Sequence, residues 1–528
     1  MENIQQQEVI DVSSIHKIGM IIGEAKPTEF LFATHEEVTR LEYLLIKSKE
    51  NVNGKNEEVN IIAQIYNIFS NSRALIEGIK LDDAERIRAA GLVDNRTFAK
   101  ARVLGYLFNN TIYQPRRAIQ PGNPVFLAPK ELLEKFYSYP DNEGLYIGNL
   151  ITRPEVPVRM TVKGFRRHLA ILAQTGAGKS YTAGVLAEEL LNKGATVLII
   201  DPHADYVFLS NKKGGGNLDR VEVFRTPQST GRYDESKIGK KIHPYQVKFS
   251  DLSQEEIQRV SGFSDRWKNI SNALGKALNT LKGGYSLEDL LNELEKDDNY
   301  GKKAKNYVKK LTYMKVFGTA TTDIDNFLHP KYISVLDLSG LDDSVSDYIN
   351  YRILRDIYQK AESGDLKFPI FIFIEESHRL IPSRENSLSK NIIKRISAEG
   401  RKFGVFLVLI TQRPYKIDQD ALSQCNSQII MRMTNPEDQK AVKTSSERVS
   451  EDLLDDLPGL NVGEAVIVGE VSRAPIMVKI RERKTEEGGA DIKIVEKLAE
   501  AREAAIKEVK EKPEKLKKEV EDLKNMME

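Results

Sequence analysis

Residues 173–180 read AQTGAGKS. Two glycines one residue apart, followed by a lysine and a hydroxyl residue, make up the chemistry of a phosphate cradle. Gly176 and Gly178 let the backbone fold back so that successive N–H groups face one anion. Lys179 then reaches the β- and γ-phosphates, and the Ser180 hydroxyl binds Mg²⁺. The strict phosphate-loop pattern asks for glycine at position 173, where this chain has alanine. The surroundings decide between a cradle and a merely flexible loop. A strand, LAILA, enters the loop, and a helix, SYTAGVLAEELL, leaves it with its N-terminal partial positive charge. The expected ATP-binding set is therefore Thr175, Gly176, Ala177, Gly178, Lys179, Ser180 and Tyr181.

Other strand ends carry the rest of a hydrolytic site. IFIFIEE ends in Glu375 and Glu376. Glu375 is expected to hold Mg²⁺ through water, and Glu376 to orient and deprotonate the attacking water; an ordinary solvated turn is the plainer reading. Glu375 stands where an aspartate is more usual. GVFLVLITQRP places Gln412 at another strand end, where its amide can bond the γ-phosphate or the water. DPHADY offers Asp201, His203 and Asp205; a turn with acids shaping the site is preferred to a separate metal site. Arginine is the missing reagent, since phosphoryl transfer spreads charge that an inserted guanidinium stabilises. Arg401 and Arg167 each precede a buried strand, so each lies at the sheet edge opposite its own nucleotide. A strand of five or six residues spans roughly 17–20 Å, too far for either side chain to cross. Both can serve only a neighbouring subunit's ATP; the alternative is a surface arginine or a salt bridge.

The elements that must position these residues are legible as patterns. HLAILA, ATVLIID, YISVLDL, FPIFIFIEE and GVFLVLITQ are short, nearly continuous apolar runs, as in a parallel sheet buried on both faces. Residues 251–330 instead space their apolar residues helically and read as an all-helical insertion within a core spanning 146–485. The stretch 1–145 mixes β-rich pieces (HKIGMIIGEA, EFLFATH, EYLLIKS) with glycine and proline breaks. It is expected to form a small β-barrel followed by helical or irregular connections. Residues 486–528 read as a C-terminal helical brace, broken at Pro513, with Leu516, Val520, Leu523 and Met527 on one face.

Composition narrows the class. With 40% hydrophobic and 29% charged residues the chain suits a globular protein, and its 528 residues allow two or three domains. The net charge of +1 means that a polyanion must meet a local basic surface. Cys425 is the only cysteine, which excludes an intrachain disulfide and a Cys-rich metal site. MENIQQQEVIDV lacks the basic start and apolar run of a secretory signal. No apolar run approaches the roughly 20 residues of a membrane span. A cytoplasmic protein is expected.

Taken together, TGAGKS, DPHADY, IFIEESHRLIP, EGRKFGVFLVLITQRP and SQCNSQIIMRMTNPEDQ resemble the archaeal HerA DNA translocases, hexameric ATPases of the FtsK-like branch of RecA-type folds. The resemblance implies an N-terminal barrel like that of ATP synthase subunits, an α/β RecA-like P-loop NTPase core and a brace reaching a neighbour. It implies Lys179 on phosphate, Glu376 as catalytic acid and Arg401 as the finger supplied in trans, with ATP and Mg²⁺ as cofactors. It further implies double-stranded DNA as track, a homo-hexamer, and partnership with a NurA-type nuclease and the Mre11–Rad50 complex in resecting DNA ends for repair. A conjugation or secretion ATPase and an ATP-assembled scaffold for a nuclease are the competing functions. NKKGGGNLDR (211–220) and SRENSLSK (383–390) are candidate DNA-contacting loops.

Overall fold

The computed structural model describes residues 12–506, apart from 53, 230, 232, 264–266, 282, 298, 447–448, 450 and 489–493. Its N-terminal part is a closed barrel of six strands, Lys17–Ile22, Glu29–Thr34, Tyr43–Val52, Lys55–Asn71, Arg96–Phe108 and Pro124–Leu127. Closure comes from Glu29–Thr34, which pairs antiparallel with both Lys17–Ile22 and Arg96–Phe108 and so leaves no free edge. The two longest strands extend the barrel beyond the first β-rich pieces, where a helical or irregular connection is expected, and helices Leu81–Ala89 and Lys130–Tyr137 lie between and after the barrel strands. Bulges between Ile62 and Ala63 and between Ile65 and Asn67 interrupt the period of two that marks a strand in sequence. Phe32, Leu44, Ile61, Ala63 and Ala101 fill the barrel's interior.

The core is a mixed sheet built around eight parallel strands: a short edge strand, Ile242–Pro244, beside β3, and β1 (Leu169–Leu172), β2 (Thr196–Asp201), β3 (Val221–Arg225), β4 (Tyr332–Asp337), β5 (Ile370–Ile374), β6 (Val405–Thr411) and β7 (Ser427–Met431). The numbered strands lie in the order β3-β4-β2-β5-β6-β1-β7. Four further strands, Glu464–Val468, Ile476–Ile480, Gly144–Leu150 and Pro157–Thr161, continue the sheet antiparallel beyond β7. Alternate residues face opposite cores: Ala170 and Leu172 join one cluster, Leu169 and Ile171 the other. Both faces are covered, which is why the sequence shows apolar runs and little alternation.

Helix α1 (Lys179–Asn192) follows β1 directly and packs on one face. It ends in a Schellman motif, where Gly194 at φ +87° lets its own N–H reach Leu191 O and the Ala195 N–H reach Leu190 O, each at 3.0 Å. Gly184, within α1, makes room for the guanidinium of Arg483: a Cβ there would lie 2.7 Å from Nε and 2.8 Å from Cζ. Arg483 is 2% exposed and its guanidinium is held by Thr485 Oγ1 and the Glu486 carbonyl. Gly184→Ala is therefore expected to lower stability by about 1–3 kcal/mol through overpacking, measured by chemical denaturation.

The insertion contributes helices α2 (Gln254–Ser261), α3 (Lys268–Thr280), α4 (Leu287–Glu295) and α5 (Tyr300–Val308). Their apolar faces pack with α6 (Asp343–Glu362) and α7 (Leu388–Glu399) on the sheet face opposite α1. A buried carboxylate ties insertion to core. Glu256 closes the capping box of α2 with Ser253, and its Oε1 lies 3.0 Å from Arg352 and 2.7 Å from Arg355 on α6. Burial pushes the Glu256 pKa up, but the Ser253 amide and the two arginines outweigh it and hold it below the usual range. The pair thus contributes full stability above the ordinary value of 4.5 and loses it as pH falls through the lower folded value. Glu256→Gln keeps the cap but removes the most buried anion shared by the two guanidiniums, leaving them Asp356, 2.7 Å from Arg355 and 3.9 Å from Arg352. We expect a loss of about 3 kcal/mol at neutral pH and a shallower acid-unfolding profile, read by circular dichroism.

Residues 494–506 form an exposed helix, with Val495 at 82% exposure. The expected apolar stripe of Leu516, Val520, Leu523 and Met527 lies outside the described residues. Among the described residues no helix is long and apolar enough to cross a membrane.

Candidate active site

Strands β2, β5, β6 and β1 are neighbours, so the loops after their C-terminal ends converge at one sheet edge. After β1, Gly176 (φ +76°) and Gly178 (φ +102°) turn the chain into α1, and a Cβ on Gly176 would meet no atom within 4 Å, leaving an open cradle. The loop is anchored where it meets the sheet: the Ala173 N–H bonds Thr411 O at 3.2 Å, and the Gln174 N–H bonds Arg432 O at 3.1 Å. Ala173 is fully buried at this anchor.

Lys179 extends to the end of β5, where its Nζ is 2.9 Å from Glu375 Oε2 and bonds Glu376 Oε1. Both carboxylates are 3% exposed. Burial works against the Lys179 charge, and the two carboxylates more than reverse it, raising its pKa above that of a free lysine. For Glu376, burial pushes the pKa up while the charge and hydrogen bond of Lys179 hold it below the usual carboxylate range. Glu376 sits at φ +47°, ψ +40°, an uncommon conformation for a residue with a side chain. That turn aims it away from the line of the strand. His378 Nδ1 lies 3.2 Å from Glu376 Oε2 and 3.1 Å from Thr411 Oγ1. Burial is the main cause holding the His378 pKa down to about 4, so the ring is neutral.

Gln412, one residue beyond β6, accepts a hydrogen bond from the Thr175 hydroxyl through Oε1. Asp201, at the end of β2, accepts the amides of His203, Asp205 and Tyr206 at 3.2, 3.1 and 2.9 Å and so shapes the DPHADY turn. That turn delivers Asp205, expected from the sequence only as one of the acids shaping the site, and Tyr206, for which the sequence suggested no role. Asp205 Oδ2 accepts the Ser180 hydroxyl at 2.7 Å, and the Tyr206 hydroxyl donates to Glu375 Oε1. The signal was present in the quoted motif, but only the fold shows which of its acids faces the loop. Among the described residues no group of three or more His, Cys, Asp or Glu is arranged to hold a metal ion. Tyr181 turns toward the C-terminal segment, its hydroxyl accepting the Arg483 N–H at 2.6 Å.

Lys179, Ser180, Glu375, Glu376, Gln412 and Thr175 thus meet in one place. Arg401 and Arg167 do not join them. Arg401 lies on the turn Gly400–Phe403 before β6, and Arg167 ends the turn Val162–Arg167 before β1. Both are exposed at the far edge of the sheet, Arg167 with Glu470 3.4 Å away. The loop 211–220 is docked on the C-terminal segment by a Lys213–Glu487 pair at 3.0 Å. Of the stretch 383–390, expected as one loop, residues 388–390 open α7, and residues 383–387 border a cavity of about 780 Å³ shared with Asp343, Asp347, Glu376 and His378.

Comparison with known proteins places this geometry in context. The family model described as the central domain of helicase HerA matches residues 145–357, and the HerA-like C-terminal model matches residues 314–489. A probable helicase of Methanocaldococcus jannaschii is 31% identical, with 91% of this chain and 93% of the relative aligned. The DNA double-strand break repair helicase HerA of Saccharolobus solfataricus is 30% identical, with 88% of this chain and 92% of the relative aligned. Among solved structures, VirB4 of Thermoanaerobacter pseudethanolicus superimposes with a TM-score of 0.46 at 17% identity, covering 65% of this chain and 98% of that one.

Proposed function

The chain belongs to the HerA helicase family, and from that premise we propose that it is an ATP-hydrolysing ring that moves along double-stranded DNA. In this reading it acts in DNA-end repair with a NurA-type nuclease and the Mre11–Rad50 complex, as a homo-hexamer. One observation carries the motor reading: a complete set of hydrolytic groups at one sheet edge is matched by two exposed arginines at the opposite edge.

ATP occupies the cradle of Thr175, Gly176, Ala177, Gly178 and Lys179, with Ser180 and Tyr181 opening α1 beside it. Ser180 and Glu375, with Asp205 behind the Ser180 hydroxyl, offer only oxygen donors, the set that Mg²⁺ takes. Mg²⁺ when bound would neutralise charge on the β- and γ-phosphates. Tyr206 and Lys179 hold Glu375 in place. Without nucleotide, Lys179 bridges Glu375 and Glu376, which makes Glu376 a poor base. Lys179, once it turned to a bound γ-phosphate, would leave Glu376 free to accept the proton of the attacking water. Gln412, released from Thr175 or still bonded to it, senses which state the loop is in. Arg401, with Arg167 beside it, enters the site of the next subunit.

Steady-state ATPase with and without linear duplex DNA tests the reading. Stimulation by DNA is expected. Equal rates would contradict the motor and leave a nucleotide-assembled scaffold.

A further inference from the structure

The far edge of the sheet, opposite the phosphate loop, holds a buried histidine. His168 links Arg167 to β1, with its backbone at φ +56°, ψ +166°, a region that strongly favours glycine. Its side chain is 1% exposed. Nδ1 accepts the Leu407 N–H of β6 at 3.0 Å, and Nε2 lies 3.0 Å from the Ser397 carbonyl in the last turn of α7. An amide can only donate and a carbonyl only accept, so the two partners fix a neutral ring with its proton on Nε2. Burial, with the Arg401 charge adding to it, holds the His168 pKa down to about 4.

The Ser397 carbonyl belongs to the last turn of α7, where acceptors run out of helical partners. Two residues after α7 comes Arg401. From there the turn Gly400–Phe403 leads straight into β6, and it is tightly packed: a Cβ on Gly400 would lie 2.8 Å from both Ile396 Cγ2 and the Val405 carbonyl. The backbone carrying Arg401 is thus held at its helix end by His168 and at its strand end by β6. Arg167 is the chain neighbour of His168 itself, and its carbonyl accepts the Asn426 N–H at 3.0 Å.

We infer that His168 is a positioning residue for the arginines presented to the neighbouring subunit, because one buried imidazole bridges β6 and the end of α7 beside both of them. The inference rests on the shared-site reading of the proposed function. No other side chain accepts at the first position and donates at the second with the rigidity of a ring. The backbone strain at His168 is the local cost of placing that ring between the two elements.

The test uses rings co-assembled from full-length variants. His168→Leu removes both bonds. It is expected to lower the rate about 10²-fold, as a misplacement of about 1 Å does, while affinity for a fluorescent ATP analogue stays within about twofold because Lys179 and Ser180 are untouched. His168→Gln places an amide near the Nε2 position and His168→Asn near Nδ1. Gln is expected to restore more activity than Asn, since the bond to Ser397 is the one that reaches Arg401. Rings mixing His168→Leu with Glu376→Gln should regain activity, and rings mixing His168→Leu with Arg401→Ala should not, since both of those lesions lie on the donating side. Lost analogue affinity, or no recovery with Glu376→Gln while Arg401→Ala still recovers with it, would show a structural histidine and overturn the inference. Failure of the Arg401→Ala and Glu376→Gln mixture would instead overturn the shared-site reading. If His168→Leu does not fold, the order of Gln and Asn decides: Asn equal to or better than Gln overturns the inference.

Discussion

Glu376→Gln is expected to bind ATP normally and hydrolyse it about 10³-fold more slowly. The carboxylate is buried, aimed by a left-handed turn, and neutralised by Lys179 when no phosphate is present. Replacing it by an amide of the same shape removes the proton acceptor and little else. Glu375 remains 2.9 Å from Lys179, so the ammonium keeps a counter-charge and the loop keeps its form. Single-turnover hydrolysis beside filter binding separates chemistry from affinity. Lys179→Ala should show the opposite pattern, with binding lost first, and it leaves two adjacent buried carboxylates without a cation. Hydrolysis by Glu376→Gln within about threefold of wild type would move the base elsewhere, with His378, 3.2 Å from Glu376, the next candidate.

Arg401→Ala is expected to abolish turnover to a similar depth, about 10³-fold or more, by a different route. The seven residues of β6 separate it from Gln412 in its own chain, and at about 3.3 Å per residue that is roughly 20 Å. Arg401→Ala and Glu376→Gln, each inactive alone, should therefore complement. In rings assembled at equal ratio, about one interface in four joins an intact Arg401 to an intact Glu376, and activity should rise to about that share of wild type. A pair of lesions acting within one subunit gives no recovery at any ratio. The same experiment with Arg167→Ala should give a smaller loss, because its guanidinium already has Glu470 close by.

Much of this site could be seen in the sequence because parallel strands buried on both faces are written as apolar runs, and chemistry sits just past their ends. TGAGKS, Glu375, Glu376 and Gln412 were found in this way, and β2, β5, β6 and β1 do lie side by side. Asp205 and Tyr206 show the limit. The motif DPHADY contains several polar residues, and which of them meets Ser180 or Glu375 depends on Asp201 gathering three amides into one turn. His168 was less visible still, since its two partners lie 229 and 239 residues away in the chain. The barrel was half legible for a related reason. Glu29–Thr34 alternates cleanly, whereas Lys55–Asn71 carries two bulges and a run of buried residues at its centre, which hides a 17-residue strand. The antiparallel strands beyond β7 were missed because they are defined by their partners more than by their own pattern.

The central claim is motion along duplex DNA driven by ATP, and displacement of a fluorescent third strand from a linear duplex measures it most directly. With ATP, wild-type rings should displace the third strand after a lag that lengthens with its distance from the DNA end, and Glu376→Gln rings should not. Displacement without hydrolysable nucleotide, or none by rings whose ATPase is stimulated by DNA, would contradict the account.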